Sequence, residues 1–103
     1  MSAATLVMWF SLRSPELAEE FERLMASDRD VVSSSLDTMS DYRLTRPTDV
    51  PGQATESADY VLIAEIVNIE RWQQQAEQRV QGLADDLAHL VSSRKMLVVQ
   101  NIL

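Results

Sequence analysis

Apolar residues follow a strand-like spacing in some segments and a helix-like spacing in others, and the order of these segments limits the fold. Four segments have the alternating or continuous apolar pattern of β-strands: Thr5–Leu12, Met39–Arg46, Asp59–Val67 and Arg94–Leu103. Two further segments, residues 15–27 and 68–91, carry apolar side chains at helical spacing. The predicted order is therefore β-α-β-β-α-β.

The helix boundaries have recognisable signals. Ser14 followed by Pro15 is typical of a helix start, and Asn68 is expected to cap the second helix. We expect the first helix to extend to about Ser27, with a broken continuation through Val31 and Val32. The polar segment 47–58 is predicted to be a long loop.

This element order on 103 residues predicts an α+β, ferredoxin-like fold. Right-handed crossovers would place both helices on one face of a four-stranded antiparallel sheet. The length of the chain predicts a single domain spanning residues 1–103.

The predicted strands are apolar on both faces, although two helices can cover only one. On the third strand, Tyr60 and Leu62 point to one face, whereas Val61, Ile63 and Val67 point to the other. A half-solvated antiparallel sheet would instead alternate apolar with polar residues. We therefore predict a homodimer formed through the second sheet face, that is, a dimeric α/β barrel.

Composition excludes several classes of function. The chain has no cysteine and a single histidine, His89, so disulfides, thiolate catalysis and a multi-histidine metal site within one chain are excluded. A net charge of −7 disfavours nucleic acids and anionic membranes. No signal peptide, membrane-spanning segment or dinucleotide fingerprint is visible, which predicts a cytoplasmic protein without metal or cofactor.

Glu65 is a carboxylate within the apolar run of the third strand. Its parity places it with Ile63 on the sheet face assigned to the dimer. One hypothesis is that Glu65 lies at the rim of that interface, either solvated or paired with Arg43. The other is that it lines a ligand cavity, where a carboxylate can act as an acid or base.

Four other side chains are candidates for ligand binding. Trp9 either packs in the dimer interface or stacks on a planar ligand. Tyr42 and Tyr60 are predicted to face the helices, where they belong either to the core or to a pocket. Arg43 either binds an acidic ligand or pairs with a neighbouring carboxylate. With Glu65, the two tyrosines are the candidate catalytic groups.

The stretch ADYVLIAEIVNIERW resembles the RedY-like branch of the dimeric α+β barrel superfamily. In that branch a tyrosine-bearing strand ends in a short polar turn, before a helix that starts hydrophobic–acidic–x–aromatic. Ile69, Glu70 and Trp72 match this start. The branch, which includes HapK-like proteins, is associated with the biosynthesis of prodiginine-type tripyrrole pigments.

The resemblance also implies that the protein is an enzyme candidate. The superfamily includes cofactor-free monooxygenases and polyketide cyclases, which often rely on His or Tyr. Here His89 lies opposite the apolar stripe of its helix, which indicates a surface residue, whereas Trp72 lies on the stripe and is expected in the core.

Three functional hypotheses follow. The first is a small secondary-metabolism protein that binds or orients a planar, apolar pathway intermediate. The second is a cofactor-free oxygenase or cyclase. The third is a structural homodimer that binds another pathway protein. The residue pattern leaves open whether the protein is catalytic.

Overall fold

A computed structural model describes residues 3–48 and 58–102, apart from the side chains of residues 78–82. A 3₁₀ turn, Pro15–Leu17, leads into the first helix. The strands and helices are β1 (Ala4–Leu12), α1 (Ala18–Ser35), β2 (Met39–Thr45), β3 (Tyr60–Ile66), α2 (Ile69–Ala88) and β4 (Val91–Gln100). The predicted order is confirmed; most of the predicted 47–58 loop lies outside the described residues.

The four strands form one antiparallel sheet with the order β2-β3-β1-β4. Cross-strand partners share a face, so the register of Leu6 with Ala64 on β3 and Val98 on β4 places all three on the same side. Both helices pack on this side, as the sequence predicts. We call it the helix face, and the opposite side the open face.

Two groups of buried side chains fix the helices to the sheet. In the first, Phe21 of α1 packs between Phe10 and Tyr60, with ring centroids 5.3 and 4.7 Å away, and Leu87 of α2 joins them. In the second, Val32 of α1 and Trp72 of α2 pack on the other end of the sheet. Trp72 is only 8% exposed, whereas His89 is exposed, which confirms the predicted positions of both.

The first helix differs from its prediction, because α1 runs without a break to Ser35 rather than ending near Ser27. Val32 lies seven residues after Met25, two helical turns along the same stripe, and is 2% exposed. Packing of Val32 therefore extends the helix through the polar residues on its other face. The last strand also begins earlier than expected, at Val91.

Strand β2 contains an irregularity that matters for the site. Its register with β3 shifts between Ser40 and Arg43, and Asp41 has a positive φ of 53°. This is the geometry of a β-bulge. Beyond the bulge Tyr42 points toward the helices, whereas Arg43 lies opposite Ile63 on the open face.

The open face carries apolar side chains that the helices do not cover. Val7 is cross-strand from Ile63 and from Leu97, and Leu97 and Val99 are 50% and 39% exposed. Both described helices lie on the opposite side of the sheet. Over the residues that the structure describes, neither helix has the length and apolarity needed to cross a membrane.

Candidate ligand cavity between the sheet and the helices

A cavity of about 670 Å³ lies between the helix face of the sheet and the two helices. Leu6, Met8 and Leu62 contribute from the sheet, and Trp72 and Ala76 from α2. Its volume falls within the range of small-molecule sites, and the apolar lining with a few polar groups is typical of them.

One polar group of the cavity is a hydrogen-bonded pair from two elements. The Tyr42 hydroxyl donates to Asp28 Oδ2 at 2.8 Å and lies 3.4 Å from the carbonyl oxygen of Met25. Asp28 is available here because α1 continues beyond Ser27, and Tyr42 shares the helix face with Leu44, two residues later on β2. A hydroxyl bonded to a carboxylate can accept a hydrogen bond from a ligand or pass a proton to the carboxylate.

The β4 side of the cavity is exposed. Met96, opposite Met8 in the sheet, is 59% exposed and lines the cavity together with Arg94. Arg94 pairs in register with Phe10, whose side chain is in the core, so the arginine side chain belongs to the helix face. The mouth of the cavity therefore carries a cation.

Tyr60 lies on the helix face but outside this cavity. Its hydroxyl donates to Glu22 Oε2 at 2.5 Å and accepts from Arg46 Nη2 at 3.2 Å. Burial raises the pKa of Tyr60, and the hydrogen bond to Glu22 raises it further. Tyr60 and Arg46 border a second cavity, of about 470 Å³, at the end of the sheet where β1 ends.

Trp9, Arg43 and Glu65 lie together on the open face, on the far side of the sheet from the large cavity. Glu65 is half-buried, and its carboxylate accepts a hydrogen bond from the Thr5 hydroxyl at 3.2 Å. None of the ion pairs between described residues joins Glu65 to Arg43. These three side chains therefore do not contribute to the large cavity.

Of the candidates named from the sequence, the structure brings only Tyr42 into the large cavity. Sequence reasoning missed Asp28 and Arg94. Asp28 had a signal, because it follows Phe21 and Met25 by seven and three residues, which puts a charge on the apolar stripe of α1. Arg94 could also have been found from the sequence, because it alternates along β4 with Met96 and Val98 and so lies on the same face.

Comparison with known proteins agrees with this architecture. Residues 4–102 match the family model described as REDY-like protein HapK. No curated protein matches the sequence significantly.

Three solved structures are similar over nearly their whole length. HapK from Hahella chejuensis is 16% identical, with 96% of this chain and 92% of that one covered and a TM-score of 0.75. SnoaB, a cofactor-independent oxygenase from Streptomyces nogalater, is 17% identical, with coverage of 100% and 96% and a TM-score of 0.76. A dimeric ferredoxin-like protein from Thermobifida fusca is 10% identical, with coverage of 97% and 92% and a TM-score of 0.70.

At these identities the solved structures establish the shared ferredoxin-like fold, on which different activities occur. The match to the family model spans both helices and all four strands. The chain therefore belongs to the REDY-like HapK family.

Proposed function

We propose that the protein binds a planar, largely apolar small molecule in the cavity between the sheet and the helices, and orients it for a step in the biosynthesis of prodiginine-type pigments. The observation that carries this proposal is the cavity itself. It has a volume of about 670 Å³, an apolar floor and the Tyr42–Asp28 pair at one side.

The lining favours an aromatic ligand. Leu6, Met8 and Leu62 form a broad apolar surface, and the Trp72 indole borders the same space. Flat aromatic ligands gain from burial against such a surface and from contact with an aromatic ring. Membership of the HapK family supports the assignment to pigment biosynthesis.

Acid–base catalysis is a second candidate, favoured by the Tyr42–Asp28 hydrogen bond of 2.8 Å at the cavity. The Tyr42 hydroxyl could accept a proton from a bound ligand while passing its own proton to Asp28. The ligand would become electron-rich without a metal or cofactor. Similarity to the cofactor-independent oxygenase SnoaB supports this candidate. An open cavity gives less support to a purely structural homodimer.

Ligand binding can be tested with a single fluorescent reporter. The chain has two tryptophans, so Trp9→Phe leaves Trp72, at the cavity, as the only one. We expect a prodiginine-type tripyrrole to change the fluorescence of Trp72 in a saturable way. Ala76→Phe, which fills the cavity, should weaken binding at least about tenfold. Ala26→Phe, on the exposed side of α1, is the matched control.

Unchanged affinity in Ala76→Phe would show that the ligand binds elsewhere, and the proposal would be wrong. Tyr42→Phe separates the two candidates, because loss of an acid–base group typically lowers a rate by about 10²–10⁴-fold. If Tyr42→Phe keeps the ligand but abolishes pigment formation in the producing cell, the catalytic candidate is correct. If pigment formation stays within about tenfold, the protein acts by binding.

A further inference from the structure

Two polar side chains that the sheet contributes to the cavity lie at its opposite edges. Tyr42 is on β2 and Arg94 on β4, which are the two outer strands of the order β2-β3-β1-β4. Three inter-strand spacings separate them, which amounts to about 14 Å between the strand axes. Leu62 of β3 and Met8 of β1 lie between. The sheet side of the cavity is therefore apolar in the middle and polar at both ends, whereas α2 adds Gln73 and Glu77 to the lining.

The β2 end favours a hydrogen-bond donor. The Asp28 carboxylate accepts the Tyr42 hydroxyl and, like any ionised carboxylate, has acceptor sites only, about four in number. An anionic group on a ligand would be repelled near this carboxylate, whereas an N–H or O–H group would be bound.

The β4 end favours an acidic group. The guanidinium of Arg94 has five N–H donors and no acceptor, and it matches the geometry of a carboxylate or sulfonate. Among the described residues no ion pair includes Arg94. The neighbouring Lys95 lies opposite Trp9 in the register, so its side chain belongs to the open face. Lys95 also borders the cavity, but Arg94 is the cation of β4 whose register places it on the helix face.

We propose that the cavity selects an elongated aromatic ligand that carries a hydrogen-bond donor at one end and an acidic or strongly accepting oxygen at the other. The ligand lies across the strands, with its donor at Tyr42 and Asp28 and its oxygen at Arg94. This inference rests on the proposed function, because it names the ligand class of the same cavity.

Three dyes of one shape test this inference. 2-Anilinonaphthalene-6-sulfonate has an N–H group and a sulfonate at opposite ends of its naphthalene, with a phenyl ring attached to the nitrogen. Its N-methyl analogue lacks the donor, and N-phenyl-2-naphthylamine lacks the sulfonate. Dye fluorescence would be titrated with the parent protein and with Arg94→Gln, Asp28→Asn and Ala76→Phe. Arg23→Gln, an exposed arginine that pairs with Glu19 at 3.3 Å, is the matched control.

We expect Arg94→Gln to weaken both sulfonated dyes about tenfold, which is the scale of a charge-assisted hydrogen bond, and to leave the neutral dye within about twofold. Asp28→Asn should weaken the two N–H dyes about fivefold relative to the N-methyl dye. Arg23→Gln should change nothing, and Ala76→Phe should displace all three dyes.

Two results would overturn the inference in distinguishable ways. If the dyes bind in the cavity but respond to neither Arg94→Gln nor Asp28→Asn, the two-ended ligand is wrong and the proposed function stands. If no dye binds, or if all three still bind Ala76→Phe, the cavity is not a site for apolar aromatic ligands. The proposed function then fails, and this inference fails with it.

Discussion

At the scale of single residues, Tyr42 and Tyr60 show how the same parity leads to different environments. Both point to the helix face, as the sequence predicts. Tyr42 reaches Asp28 at the large cavity, whereas Tyr60 is 4% exposed and hydrogen-bonded to Glu22 and Arg46. Alternation along a strand therefore identifies the face of a side chain, but the partner on the helix decides what that side chain can do.

The environment of Tyr60 predicts its titration. Burial, followed by the hydrogen bond to Glu22, holds the pKa of Tyr60 above the ordinary value of 10.0. Tyr42→Phe leaves Tyr60 as the only tyrosine, so ultraviolet absorbance of tyrosinate reports it alone. We expect a midpoint above pH 10 in the folded protein and near pH 10 in urea.

The stability of the fold should depend on pH in the same window. The folded state keeps the Tyr60 proton while the unfolded state loses it, so this contribution is complete below about pH 10 and is lost as the pH rises above that value. A folded-state midpoint at or below pH 10 would contradict the assigned environment.

A second residue-scale prediction compares Trp72 with His89. Trp72 is 8% exposed and packs against the sheet, whereas His89 is exposed at the end of α2. Trp72→Ala should lower the free energy of unfolding by about 3–5 kcal/mol, and His89→Ala by no more than about 0.5 kcal/mol. Denaturant midpoints of the two variants provide the measurement. Equal losses would show that the buried face of α2 is assigned wrongly.

At the scale of elements, two local departures from regular patterning build the polar end of the cavity. The bulge in β2 lies beside Tyr42, which points toward the helices, and the extension of α1 past Ser27 brings Asp28 to meet it. Neither feature helps local stability: a bulge interrupts the ladder, and a charge interrupts the apolar stripe. Such local conflicts are expected where a structure serves a function.

The backbone conformation of Asp41 in the bulge can be tested by substitution. Asp41 has a φ of 53°, a left-handed conformation that aspartate tolerates and β-branched residues do not. Asp41→Val should destabilise the fold by about 1–2 kcal/mol, whereas Asp41→Gly should be neutral or slightly stabilising. Thermal unfolding of both variants would measure this. If valine is tolerated as well as glycine, Asp41 does not hold a left-handed conformation in solution.

Much of the element pattern could be predicted from the sequence, because period and capping are local. Asn68 accepts a hydrogen bond from the Arg71 backbone N–H at 3.1 Å, as its position before α2 predicts. The continuation of α1 to Ser35 could not be predicted from local patterns, because it depends on Val32 packing against a distant strand. The cavity was harder still: Asp28, Tyr42 and Arg94 are far apart in sequence, and the bulge and strand order bring them to one space.

At the scale of the whole molecule, the two faces of the sheet differ in how far the helices cover them. The helix face is covered and holds the proposed ligand site. On the open face Val7 and Ile63 are half-buried and Leu97 is 50% exposed. These residues are cross-strand neighbours, so they form one continuous apolar surface rather than scattered exposed positions. The charged side chains Arg43, Glu65 and Lys95 share this face, so any surface that covers it has to accommodate their charges.

The last prediction is that a second copy of the chain covers the open face. Removing about 700 Å² of apolar surface from water would contribute roughly 17 kcal/mol before the costs of association. Light scattering at micromolar concentration should give twice the chain mass of 11.6 kDa. Leu97→Glu tests the surface, because two-fold symmetry would bury the new charge twice, and the dimer should dissociate. Val31→Glu, at a valine on α1 that is 46% exposed, is the matched control and should remain dimeric. A folded parent protein at 11.6 kDa would show that the open face is not a dimer interface.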